Sequence, residues 1–231
     1  MRFLTICIAL IGFSTAHAQW TVGAGMEYPN QFHVQGAWEA GKGHQFFAQL
    51  GYFGGPMSTW FFNDLESNGT DSTTVRILRQ SYKNGWLFSG GYRYEFKGFY
   101  GDIYGQYIDL NAADSDIDLL LAYYDLEEIK PLIDLISLPA LIPTATHLSS
   151  GLWQTGIRVG YRYALNEHWG VTADVGYSAN IASRSRMQTP LDFIEDVKTL
   201  KTNYERDLHT TYSNGAYFIT LGIQVSYRWK P

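Results

Sequence analysis

Eight times along this chain, apolar and polar residues change places at every step. Trp20, Val22, Ala24, Met26 and Tyr28 alternate with Thr21, Gly23, Gly25 and Glu27. The same period of two runs through Phe32–Trp38, Phe46–Tyr52, Trp86–Phe96, Phe99–Tyr107, Trp153–Tyr163, Trp169–Tyr177 and Tyr217–Trp229. Side chains of a β-strand point to opposite faces in turn, so this pattern predicts strands with one apolar and one polar face. No residue of the apolar set is charged. The other set carries Glu27, Glu39, Glu95, Asp102 and Asp174 together with Arg93, Arg158, Arg162 and Arg228.

A soluble sandwich or a lipocalin-like barrel could also alternate in this way, with the apolar face inside. The aromatic residues argue against both. Trp20, Trp38, Phe46, Tyr94, Phe96, Phe99, Tyr163, Trp169 and Trp229 gather at one set of strand ends. Tyr28, Tyr52, Trp86, Tyr107, Trp153, Tyr177 and Tyr217 gather at the other, with small and aliphatic residues between. Two aromatic girdles about an aliphatic band match the two interfaces of a bilayer. A soluble core would place its largest side chains centrally.

The connections point the same way. Residues 40–44, 97–98 and 164–168 are short turns, whereas the stretches at about 55–85, 109–151 and 180–215 are long; Pro29-Asn30-Gln31 is a short exception. Short turns at one end and long loops at the other predict an all-β fold: an eight-stranded antiparallel transmembrane β-barrel with helical insertions in its long extracellular loops. Strands of about ten residues suffice to cross.

The N-terminus reads as an address. Met1 and Arg2 precede an apolar run from Phe3 to Phe13, and Ala16-His17-Ala18 supplies the small-x-small pattern of a signal-peptidase site. Residues 1–18 are therefore expected to be a cleaved signal peptide, and 19–231 the barrel. The single cysteine, Cys7, leaves with that signal, so disulfides and thiolate chemistry are excluded from the mature chain. Removing Arg2 from 17 basic residues leaves 16 against 22 acidic ones, a charge of −6 that offers no basic face for nucleic acid.

The last strand carries a more specific signal. Thr220, Gly222, Val225 and Tyr227 form a polar-x-Gly-x-x-apolar-x-aromatic ending. It resembles the C-terminal motif by which the barrel assembly machinery of the outer membrane recognises its clients, although Arg228-Trp229-Lys230-Pro231 extends past the usual aromatic terminus. The whole mature chain resembles the outer-membrane protein β-barrel domain family, small barrels akin to the membrane domain of outer-membrane protein A. That resemblance implies a Gram-negative, porin-like cell-envelope protein among outer-membrane lipid and lipopolysaccharide. It implies no particular activity.

Chemistry must come from the polar face or the loops. Nine charges in an eight-stranded lumen are expected to pair, because the interior is too narrow for bulk water. Arg93 and Glu95 are expected near Asp102, Arg158 near Asp174, and Arg228 beside the first strand. A polar plug is favoured over an ion path. The histidines 33, 44, 147, 168 and 209 show no two-ligand spacing, so neither a metal nor another cofactor is expected. His209 and Ser213 are the candidates for a lipid A-modifying hydrolase of the deacylase kind. Placed on one strand they would lie about 13 Å apart. A small-solute channel is a third reading.

Helical spacing over Ile117, Leu120, Leu121 and Tyr124, again over residues 131–138, and after Thr189-Pro190 over Phe193, Val197 and Leu200, predicts loop helices. They either cap the barrel or present a protein-docking surface at 111–150. Glu66–Asp71, between Trp60-Phe61-Phe62 and Val75, predicts a hairpin prolonging the third and fourth strands.

Overall fold

The computed structural model describes residues 19–29, 31–67, 72, 75, 76, 79, 84–115, 117–124, 126–137, 146–213 and 217–229. The expected signal peptide, Asp116, and the Asn68-Gly69 turn lie outside the described residues. Eight strands close into one antiparallel barrel in chain order. They are β1 (Gln19–Tyr28), β2 (Gln31–Gly41), β3 (His44–Gly54), β4 (Asn84–Phe96), β5 (Phe99–Ser115), β6 (Thr146–Ala164), β7 (Trp169–Gln188) and β8 (Tyr217–Trp229). Closure comes from β1 on β8, with Trp20 opposite Trp229 and Tyr28 opposite Leu221. A closed barrel leaves no unpaired edge within the paired span, which a strand needs if it is to sit in hydrocarbon.

Tight turns set the register on one end. Lys97 and Gly98 both take positive φ, 52° and 86°, and join β4 to β5 in two residues, as a primed hairpin turn requires. Asn166 accepts hydrogen bonds from the backbone N–H groups of His168 and Trp169 and holds the turn between β6 and β7.

The apolar set of the alternation faces outward. Phe88, Ile103, Ile157, Val159, Ile219 and Leu221 are all exposed on the barrel wall. Rings pair along both rims: Phe99 on Tyr161 and Tyr227 on Trp169 at the turn side, Tyr52 on Trp86 and Tyr107 on Trp153 at the loop side. An apolar belt around the whole circumference far exceeds the patches that water-soluble monomers tolerate, and identifies a transmembrane surface.

At the loop-side girdle the polarity of the wall reverses. Above Tyr107, Trp153 and Trp86 the inward positions become apolar: Leu87, Ile108, Leu110, Ala112, Leu148, Leu152 and Met187 are buried. The outward positions there become polar, with Arg184, Arg186 and Gln188 exposed on β7. The reversal on β7 needs one extra residue. Trp153 pairs with Ala182 and Gln154 with Asn180, so Ile181 is a bulge that shifts the facing of everything beyond it.

Among the described residues, the long connections carry the helices α1 (Pro56–Ser67), α2 (Ile117–Tyr123), α3 (Lys130–Ser137) and α4 (Glu195–Ser213). Leu120 and Leu121 of α2, Ile133 of α3, and Val197, Leu200 and Tyr204 of α4 join the buried strand residues Ala112, Leu148 and Met187 in one apolar cluster. A second cluster brings Phe62 of α1 against Phe53 and Leu87.

Three sequence expectations are corrected here. The hairpin expected after β3 is helix α1, because Gly55 at positive φ ends the strand and Pro56 opens a helix. The hydroxyls of Ser58 and Thr59 donate to the Gly55 carbonyl, and the Phe62 ring fills the barrel mouth against Phe53. The long connections are shorter than expected, since β5 runs to Ser115, β6 begins at Thr146 and β7 runs to Gln188. The last helix starts at Glu195, after a turn in which Thr189 accepts the Leu191 N–H.

Candidate functional site

The polar set of the alternation lines the lumen, where the strands bring charges from opposite walls into contact. At its centre stand two arginines. Arg93 of β4 grips Asp102 of β5 through two parallel bonds, Nε to Oδ1 at 2.7 Å and Nη2 to Oδ2 at 2.8 Å. These residues are register partners, so the short turn at 97–98 places them opposite each other. Bidentate geometry of this kind is the strongest form of the carboxylate–guanidinium pair. The Arg93 guanidinium also lies 3.9 Å from the centroid of the Tyr100 ring.

Arg158 of β6 is shared by three acids. Its Nη2 donates to Glu27 Oε2 at 3.0 Å across the lumen, Asp174 Oδ1 lies 3.6 Å from Nε, and Asp102 Oδ2 lies 3.9 Å from Nη1. Tyr100 donates to Asp174 Oδ2 at 2.7 Å. Side chains of Arg158, Glu27 and Asp102 are 3% exposed or less, so each depends on the others for its charge to be tolerated. Inward glycines make the room. A Cβ on Gly156 would stand 2.5 Å from the Tyr104 ring, and one on Gly160 2.6 Å from the Tyr100 ring.

Toward the turns, Glu95 of β4 forms a second group. Its Oε2 accepts from Gln45 at 3.1 Å and from Arg228 at 3.2 Å, while Arg162 Nη1 lies 4.0 Å from Oε1. Glu39 stands on the rim of β2 within electrostatic reach of Arg162. Toward the loops the charges give way to neutral polar contacts. Gln106 donates to Gln154, which also accepts from Ser178 at 3.3 Å, whereas the Gln35–Gln49 contact at 3.3 Å and the His33–Gln224 contact at 3.4 Å lie beside the charged groups. Above these lies the apolar cap.

Eight of the nine charged residues marked in the sequence thus meet in two groups within the lumen, and the ninth, Glu39, stands at the rim. The adjacent-strand pairs Arg93–Asp102 and Arg158–Asp174 form, and Arg228 lies opposite Thr21 on β1. Glu95 turns to Arg228 and Arg162 rather than to Asp102. The contact of Arg158 with Glu27 joins strands that are not neighbours, so the pairing of adjacent strands could not reveal it. Inward parity on both residues was the available signal.

His209 and Ser213 lie on α4, not on a strand. His209 is exposed, and its Nδ1 is 3.2 Å from the hydroxyl of Ser183 on β7, a residue the sequence did not single out. The Ser213 side chain is outside the described residues. Among the described residues no three His, Cys, Asp or Glu side chains converge as metal ligands do. Thr220, Gly222, Val225 and Tyr227 occupy β8, with Thr220 buried in the lumen and Val225 on the lipid-facing wall.

The loop-side assembly also has an exposed face. On α3, Ile133 is buried while Leu132 and Leu135 are 45% and 64% exposed. Beneath it, Tyr124 follows α2 and hydrogen-bonds Asp207 of α4; burial first, and then that carboxylate, raise its phenol above the ordinary value of 10.0. Glu205 of α4 accepts the Met187 backbone N–H at 3.1 Å and covers the upper edge of β7.

No family model and no curated protein matches this chain. Among solved structures, the N-terminal β-barrel domain of Pseudomonas aeruginosa OprF is similar at 9% identity, with 92% of this chain and 96% of that one covered and a TM-score of 0.41. A major outer membrane protein from Thermus thermophilus is similar at 13% identity, over 92% and 99%, with a TM-score of 0.45. Acinetobacter baumannii CarO is similar at 8% identity, over 94% and 99%, with a TM-score of 0.41. At such scores these likenesses add nothing to the fold beyond what the closed strand register already gives.

Proposed function

We propose that this chain is an integral outer-membrane barrel of the cell envelope, exported by a signal at residues 1–18, whose lumen is plugged and whose extracellular loops carry its role. That role is structural or one of surface interaction. The observation that supports it best is the filling of the barrel axis. Among the described residues, two salt-bridged groups, the Gln106–Gln154 contact and an apolar cluster under the loop helices occupy the interior of the barrel. An eight-stranded barrel is just wide enough for side chains to fill it in this way. What remains free to engage a partner is the outer face of the cap, where Leu132 and Leu135 stand exposed on α3.

Cross-linking on intact cells tests this reading. A partner captured by the full chain and lost with Leu132→Glu and Leu135→Glu supports it, and an unchanged set of cross-links counts against it. Steady conductance in planar bilayers would overturn the plug and revive a small-solute channel.

A lipid A-modifying hydrolase is the second reading, favoured by the Ser183–His209 hydrogen bond. In it the Ser183 oxygen would attack an acyl ester carbonyl while His209 takes the hydroxyl proton and passes it to the departing lipid hydroxyl, and water would then cleave the acyl-serine ester to free the acid and restore Ser183. It ranks second because the pair sits on the loop side of the aromatic girdle, away from the lipid-facing wall. Mass spectrometry of lipid A from expressing cells decides it: acyl loss abolished by Ser183→Ala would establish the hydrolase.

A further inference from the structure

The turn-side end of the lumen is a narrow cleft lined by Arg162, Arg228, Gln45, Gln224, Ser226 and Glu95, among others. Its charges run opposite to those of the central group, where Arg93 and Arg158 meet the three acids Glu27, Asp102 and Asp174. Arg93 also lines it, but its Nε–Nη2 edge is committed to Asp102. Among the described residues, that leaves the guanidiniums of Arg162 and Arg228 sharing the one lining carboxylate, Glu95, with Glu39 acting only from the rim. The buried Nε atoms of Arg162 and Arg228 both lack an acceptor among the described residues. A buried N–H on a charged group without an acceptor is costly, so the site favours an additional oxygen ligand.

We propose that this cleft is a binding site for a small oxyanion, of the phosphate or carboxylate class, entering from the turn side. Glu95 sits in the seat as an internal stand-in for that ligand. Its side chain is 15% exposed, Arg228 is 17% exposed and Arg162 11%, so the seat has contact with solvent and the carboxylate can swing out. An arriving anion then takes up the two guanidiniums, offering each more than one oxygen, which a phosphate does in the geometry guanidinium groups bind best. Gln45, Gln224 and Ser226 supply neutral donors around it. A lipid headgroup is the wrong source. Every lining residue belongs to the inward set, and the barrel wall separates the cleft from the lipid-facing surface.

Arginine Nε–H resonances of the full mature chain, refolded in zwitterionic detergent, provide the test. Inorganic phosphate is titrated at constant ionic strength against chloride. Saturable shifts at Arg162 and Arg228, with Arg93 unmoved, are expected. Glu95→Ala should tighten phosphate binding by at least about fivefold, because a competing charge a few ångströms away is removed. Phosphate should also raise that variant's urea midpoint, by an amount growing with the logarithm of its concentration above the dissociation constant. Arg228→Gln should abolish saturation. The proposal is overturned by shifts that never saturate, by identical shifts with chloride, or by an Arg228→Gln chain that binds as the parent does. Should a variant not fold, as judged by gel mobility without boiling, the titration of the parent chain decides alone.

Discussion

Two halves of the same strands follow opposite rules. Between the girdles the wall is apolar outside and charged inside, so Ile157 meets lipid while its neighbour Arg158 is buried among three acids. Beyond the loop-side girdle the wall is polar outside and apolar inside, so Arg186 meets water while Met187 packs under α4. The solvent outside the wall dictates which chemistry holds the inside. Where lipid covers the exterior, burial of apolar surface gives little drive, and paired charges and hydrogen bonds specify the interior. Where water covers it, the hydrophobic effect returns and a helical cap can be held by packing alone.

The largest test of this contrast strikes the charged half. Asp102→Ala leaves Arg93, 7% exposed, without its partner and takes one acid from Arg158. Loss of one member of a buried pair costs about 3–5 kcal/mol, so the urea midpoint of the folded band should fall steeply. A combined Arg93→Met and Asp102→Leu chain should recover much of that loss. Equal damage from both chains would show that the pair matters through shape rather than charge.

The second test strikes the cap. Leu200→Ala opens a cavity under α4 worth about 2–5 kcal/mol, yet the strands below the girdle should keep their hydrogen-exchange protection. Loss of protection in β1 to β4 as well would mean that the two halves melt as one unit.

The smallest test is a titration. Tyr124 has its phenol raised above 10.0 by burial and by Asp207, so the folded state holds the neutral form. Its contribution is complete below pH about 10 and is lost as the pH rises through the folded value. Absorbance of tyrosinate should show a late-titrating phenol that Asp207→Asn moves toward the ordinary range. An unmoved phenol would separate Tyr124 from α4.

How much of this was legible follows from the same inversion. Inside the membrane a single period of two ran through every strand, and the faces, girdles and inward charges could be read directly. Above the girdle the code changes sign, so Leu148, Ser150 and Leu152 opposite Met187, Ser185 and Ser183 read as loop rather than strand. At Trp60-Phe61-Phe62 the apolar run and the following Asn-Gly suggested a hairpin. Local turn chemistry was outweighed by a place for Phe62 beside Phe53 in the barrel mouth. Contacts across the lumen, such as Glu27 with Arg158, depend on the closed cross-section, which pairwise strand reasoning does not contain. The pairing of Ser183 with His209 depends on where α4 docks, and no spacing in the sequence encodes that.

The bulge at Ile181 makes the phase of one residue decisive. Were Ile181 to pair with Trp153 instead of bulging, the register below Gln154 would stand, but Arg184 and Arg186 would rotate into the positions that Ser185 and Met187 now fill against Ser150 and Leu148. Two cations would enter an apolar core and the methionine would turn to water. A slip of one residue in the pairing at this point therefore separates a capped barrel from one whose outer storey cannot assemble. Lengthening or shortening the chain beyond Gln188 carries no such penalty, because nothing past that point shares the strand's phase. Variation in length is thus channelled into the connections, and the wall between them is closed to it.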